Sequence, residues 1–230
     1  MKGTMWTILL VAALGGCSDT DHPAASQKQA SAQSGVATAF ELQAGAAIAA
    51  RCMDCHGAEG VSTTPNIPHL AGQHRQYLAN MARSYKTGQR DSPAMHAVMS
   101  GMTKEEINAV AAYYAAQAKA PLASGAKEVS HPVALTPTLV KELDKCDRCH
   151  GKKGFGDASR FPILAGQHEE YLRGALHAYK SQFLRESSMM HAMTDLLDQR
   201  TAQQLAAYYA AQRTGTRVGG SGSTDSPTGD

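Results

Sequence analysis

Apolar positions recur at helical spacing over residues 40–54, 73–85 and 103–118, and again over 137–148, 167–182 and 201–212. Alternation of the strand kind is scarce, and Ala, Gln, Met and Leu are frequent, so the pattern predicts an all-α chain. Thr103 with Glu106 three residues on forms a capping box that starts the third stretch. A loop containing Gly and Pro runs to about Leu70, and a second loop carries Met95. Before the first helix lies an apolar run, Met5 to Leu14, too short for a membrane span. The polar, small residues that follow cannot bury a core. The pattern predicts a leader at 1–16, a flexible tether at 17–38, a domain at 39–119, a linker at 120–136, a second domain at 137–213 and a disordered tail at 214–230.

The two halves repeat each other at a spacing of about 94 residues. Ala71-Gly72-Gln73-His74 returns as Ala165-Gly166-Gln167-His168, and Tyr85-Lys86 returns as Tyr179-Lys180. Ala112-Tyr113-Tyr114-Ala115 returns as Ala207-Tyr208-Tyr209-Ala210, one residue out of step. The offset therefore changes between Lys86 and Met95.

Each half carries one Cys-x-x-Cys-His: Cys52, Cys55 and His56, then Cys146, Cys149 and His150. This is the attachment pattern of a c-type haem, with two thiols for the porphyrin vinyl groups and an adjacent His as proximal iron ligand. A shared four-thiolate zinc site is disfavoured by the long separation of the pairs, and a thioredoxin-like redox pair lacks its βαβ context. The expected cofactors are two covalently bound haem c groups.

The second axial position decides whether an iron only moves electrons or also binds a substrate. Met95, Met99 and Met102 are candidates in the first copy, Met189, Met190 and Met193 in the second. Only Met95/Met190 and the neighbouring His96/His191 keep one distance to the Tyr-Tyr pair in both copies. The methionines are the preferred pair and the histidines their rivals. His74 and His168 recur at helix starts and read as structural, while His22, His69, His131 and His177 have no matched role.

Together the Cys-x-x-Cys-His, Pro-x-Leu-Ala-Gly-Gln, late Met and Ala-Tyr-Tyr-Ala blocks make the chain resemble a di-haem cytochrome c4 over about residues 39–213. The resemblance implies two tandem class I cytochrome c domains. It implies thioether attachment at Cys52, Cys55, Cys146 and Cys149. It implies His56/Met95 and His150/Met190 as axial pairs. Carbonyls of Pro68 and Pro162 would orient the histidines. In such domains a small residue on the first helix meets an aromatic on the last. Gly45 fits this opposite Tyr113-Tyr114, but Leu139 in the second copy departs from it, so looser or shifted helix contact is expected there.

The formal charge of +2 on 230 residues points to no nucleic-acid partner. Four of the five cysteines lie in the haem motifs, and the fifth, Cys17, ends a Leu14-Gly15-Gly16-Cys17 sequence that resembles a bacterial lipobox. A lipid on Cys17 would anchor the protein to a membrane from the periplasm, with Ser18 leaning toward the outer membrane. The resulting expectation is a membrane-anchored di-haem electron carrier rather than an enzyme. Its partners are expected to be a quinol-oxidising cytochrome complex as donor and a terminal oxidase as acceptor. One alternative is a di-haem peroxidase or an oxidoreductase for a small inorganic substrate. The other is an electron-transfer subunit of an exported dehydrogenase.

Overall fold

The computed structural model describes residues 37–118, 133–156, 158, 160–181 and 187–212. The leader, Cys17, nearly all of the tether, most of the linker and the tail lie outside the described residues. In the first copy the helices are α1 (Ala39–Ala49), α2 (Met53–His56), α3 (Arg75–Lys86), α4 (Pro93–Ser100) and α5 (Lys104–Ala116). In the second they are α6 (Pro137–His150), α7 (Glu169–Lys180), α8 (Ser188–Asp195) and α9 (Gln199–Ala210). No strand occurs among the described residues. None of their helices is long and apolar enough to cross a membrane.

Local chemistry sets the helix starts. Thr38 and Thr103 each form a full capping box, with Glu41 and Glu106. Thr136 caps α6 with Pro137 in its first turn, and Asp198 caps α9. Two expectations need correction. The stretch expected as one helix over 40–54 is broken, because Arg51 and Cys52 bond back only three residues and end α1 before α2 begins. In the second copy the corresponding helix runs unbroken into His150. Met95, expected in a loop, sits in α4, which Ser92 caps and Pro93 opens.

Each copy closes its own core. Ile107, Val110, Ala111 and Tyr114 of α5 pack with Ala49, Ala79, Met99 and Met102. Leu205, Ala206 and Tyr209 of α9 pack with Leu139, Leu143, Leu172 and Leu197. Gly45 lets α1 lie directly on α5, whereas Leu139 is fully buried at 0 % exposure and holds α6 further from α9. The expected looser contact in the second copy is thus present, and a leucine side chain fills the gap.

The copies join through their repeated Ala-Gly-Gln-His blocks. The Gln73 side chain donates to Ile163 O at 3.0 Å and accepts from Ile163 N–H at 2.9 Å. Gln167 does the same with His69 O and N–H, at 3.0 and 2.9 Å. The His69 and His168 rings stack with centroids 4.0 Å apart, and His168 Nε2–H donates to Ser62 O. Beside this seam the buried Arg90 reaches the hydroxyls of Tyr171 and Tyr179 in the second copy and of Tyr85 in its own.

Three outcomes follow from this packing. An alanine Cβ at position 45 would lie 2.2 Å from Ala109 O, so Gly45→Ala is expected to lower stability by about 1–3 kcal/mol in denaturant unfolding. Leu139→Ala is expected to cost about 2–5 kcal/mol by the opposite route, an emptied cavity. Burial and the neighbouring His168 push the His69 pKa down to about 4. An unfolded His titrates near about 6.5, so the contribution of neutral His69 is full above that pH and is lost as pH falls to about 4. The unfolding midpoint should decline over this window, and His69→Phe should flatten the decline.

Candidate functional site: two matched Cys-x-x-Cys-His motifs

A loop after each Cys-x-x-Cys-His must return to the motif, and the same bonds close it twice. Gly60 O accepts from Leu70 and Ala71 N–H, and Gly154 O accepts from Leu164 and Ala165 N–H. Gly72 N–H and Gly166 N–H then bind Tyr114 O and Tyr209 O. Gly60 and Gly154 have φ of +80° and +75°, and a Cβ there would meet the Tyr114 or Tyr209 ring at 2.6 or 2.7 Å. Only glycine suits both the backbone and the aromatic neighbour.

This closure brings a prolyl carbonyl to each motif histidine. His56 Nδ1 lies 2.9 Å from Pro68 O, and His150 Nδ1 lies 2.9 Å from Pro162 O. A carbonyl only accepts, so Nδ1 carries the hydrogen in both rings and Nε2 is left with a lone pair. Both histidines are buried, and burial holds both pKa values below the ordinary range against the opposing pull of the carbonyl. A neutral imidazole with Nε2 free is the form that binds a metal.

Cys52, Cys55, His56, Pro68 and Met95 share one largely apolar cavity of about 330 Å³. No disulfide joins the four motif cysteines. Burial raises the Cys52 pKa and pushes that of Cys146 up to about 11. Two thiols, an oriented imidazole and a thioether around one apolar chamber form a donor set that fits a covalently attached haem.

The rival histidines point elsewhere. His96 Nδ1–H donates to Tyr85 O and His191 Nδ1–H to Tyr179 O, each at 2.9 Å. His96 is exposed and does not line the cavity, whereas Met95 does. Ser92 Oγ accepts from Met95 N–H and Ser187 Oγ from Met190 N–H. Beyond these short helices, Lys86 Nζ binds Met102 O and Lys180 Nζ binds Leu197 O. The Tyr-Lys dipeptide ending α3 or α7 therefore ties down both ends of the methionine helix. The repetition of Tyr-Lys is visible in the sequence, but its partners are not.

Among known proteins, the sequence matches the cytochrome c family over residues 42–116. It is 36% identical over 175 residues to the thiosulfate dehydrogenase electron acceptor of Thiomonas intermedia (strain K12), covering 69% of this chain and 79% of that one. It is 31% identical to cytochrome c4 of Thiocapsa roseopersicina, over 68% of this chain and 82% of that one. The structure resembles cytochrome c4 of Acidithiobacillus ferrooxidans with a TM-score of 0.59 at 27% identity, over 70% and 99% of the two chains. It also resembles part of the thiosulfate dehydrogenase (TsdBA) of Marichromatium purpuratum, with a TM-score of 0.62 at 30% identity, over 74% of this chain and 40% of that longer one.

Fold, repeated motifs and relatives thus define an all-α c-type cytochrome of two tandem class I domains, with two covalently bound haem c groups, that acts as an electron carrier. The chain belongs to the di-haem cytochrome c4 family.

The serine caps give a direct check on the methionine helices. Ser92→Ala and Ser187→Ala each remove the acceptor for a methionine N–H and should each lower stability by about 1 kcal/mol. Denaturant unfolding of the haem-loaded protein reads this, and Ser→Asp at either site should restore most of it.

Proposed function

We propose that His56 and Met95 ligate the iron of the first haem and His150 and Met190 that of the second. Cys52 and Cys55, and Cys146 and Cys149, form the thioethers. The observation that carries this reading is the twice-repeated bond from a buried Cys-x-x-Cys-His imidazole to a prolyl carbonyl, at 2.9 Å in both copies. It leaves Nε2 as the iron-binding nitrogen of each ring. Bound haem supplies a reversible one-electron couple between ferric and ferrous iron. The polypeptide holds the proximal ring in one orientation and one tautomer, and keeps an apolar wall around the macrocycle. It anchors each methionine helix, so that Met95 and Met190 would each hold a neutral thioether to the iron and leave no site for substrate. The domains of this reading are 39–119 and 137–213, each with one haem.

We assign the protein to the periplasm, anchored through lipid on Cys17, where it passes electrons between respiratory partners. A quinol-oxidising cytochrome complex as donor and a terminal oxidase as acceptor fit that role. The similarity to two thiosulfate dehydrogenase electron acceptors favours an additional donor, an exported dehydrogenase that oxidises an inorganic sulfur compound. Periplasmic anchoring places the haem domains within reach of such a partner through the polar stretch after Cys17.

Absorption spectra of the purified protein test the ligands. The ferric form should show the weak long-wavelength band of Met-to-iron charge transfer at an intensity matching two haems, and carbon monoxide should leave the ferrous spectrum nearly unchanged. Met95→Ala and Met190→Ala should each halve the band and admit carbon monoxide at one haem. His96→Ala and His191→Ala should preserve it. A band matching one haem in the unaltered protein, or prompt carbon monoxide binding, would refute the assignment.

A further inference from the structure

The prolyl carbonyl that receives each proximal histidine belongs to a peptide group whose other end is held by the opposite domain. Pro68 O accepts from His56, and the N–H of that same peptide, on His69, donates to Gln167 Oε1 at 2.9 Å. Pro162 O accepts from His150, and the N–H of that same peptide, on Ile163, donates to Gln73 Oε1 at 2.9 Å. Both glutamines are 7 % exposed. Each Oε1 also accepts the N–H of the following histidine, His74 or His168, while each Nε2 donates to the backbone carbonyl of Ile163 or His69. Two donors on one side and a carbonyl on the other fix which end of each amide is oxygen.

A peptide group is conjugated, so its two ends respond together. When its N–H donates a hydrogen bond, its oxygen becomes more negative and a stronger acceptor. A stronger acceptor at Nδ1–H gives the imidazole more imidazolate character and makes Nε2 a more basic ligand. A more basic ligand favours ferric iron and lowers the reduction potential.

We propose that the seam glutamines are crosswise positioning residues. Gln167 of the second domain sets the proximal hydrogen bond, and hence the potential, of the first haem, and Gln73 of the first domain sets that of the second. The inference rests on the reading that His56 and His150 are iron ligands. It assigns the repeated Gln of the Ala-Gly-Gln-His block a role at the haem of the other domain.

The test uses the haem-loaded full chain with Gln167→Met and Gln73→Met, which keep side-chain length and remove the strong acceptor. Redox titration followed by proton NMR resolves the two haems. Gln167→Met should raise the reduction equilibrium constant of the first-domain haem about three-fold, or about 28 mV at about 59 mV per tenfold, and leave the second in place. Gln73→Met should do the reverse. The exchangeable proximal Nδ1–H resonance of the ferrous protein should move upfield only in the opposite domain. Gln167→Glu keeps an oxygen against His69 N–H and should return the first-domain resonance downfield. If a Met variant does not load haem, the Glu variant carries the test, with a downfield shift required at the opposite domain.

Equal shifts at both haems, a shift at the glutamine's own haem, or no shift would overturn the inference. Absence of a proximal Nδ1–H resonance in the unaltered protein would instead refute the ligand reading on which it rests.

Discussion

Everything in this fold answers to a hydrogen bond between a buried imidazole and a prolyl carbonyl. For that bond to form, the chain must leave the haem motif, turn back, and present Pro68 or Pro162 twelve residues later to the ring it has just passed. The return demands a left-handed glycine pressed against a tyrosine of the last helix, and it demands that the N–H of Gly72 or Gly166 bond to that helix's end. The last helix is in turn wedged against the first. The position of one ring nitrogen is therefore fixed by packing at the far side of the domain, which is how a small helical protein can hold an imidazole rigidly without strands or disulfides among its described residues.

The two copies solve the same problem with different side chains. Where the first uses Gly45 to bring two helix backbones together, the second uses Leu139 to hold them apart and fill the space. Where the first buries Met99 near the end of its methionine helix, the second buries Thr194, whose hydroxyl donates to Met190 O. The methionine helix of the second copy is thus tied by a bond that the first copy's thioether side chain cannot make. Matched histidines and methionines in unequal supports are a physical route to two unequal sites in one chain.

Much of this was legible because it is local. Cys-x-x-Cys-His names its own chemistry, capping boxes mark helix starts, and a repeat exposes every shared position twice. The helical class and the matched pair of methionines came from such features. Ser92-Pro93, a capping residue before a first-turn proline, is the local signal that Met95 lies in a helix. What stayed hidden is long-range. Gln73 and Gln167 are visibly repeated, yet nothing along the chain says that each serves the other half. His69 faces Ile163 in the repeat and so looked unpartnered, although its ring stacks on His168. The destination of Arg90, among tyrosines of both copies, is likewise set by tertiary proximity alone.

The seam has the form of an isologous contact: one motif meets its own counterpart, and each glutamine grips the backbone that carries the other's equivalent bond. A surface that is complementary to a copy of itself is what a two-fold homodimer requires. Joined in tandem, the halves meet at a local concentration fixed by the connecting chain rather than by how much protein the cell makes. The arrangement also removes their freedom to diverge separately, because a change in either motif is felt at once by both halves. Covalent linkage here turns an association equilibrium into a permanent architecture, and makes the two glutamine motifs positions that must change together.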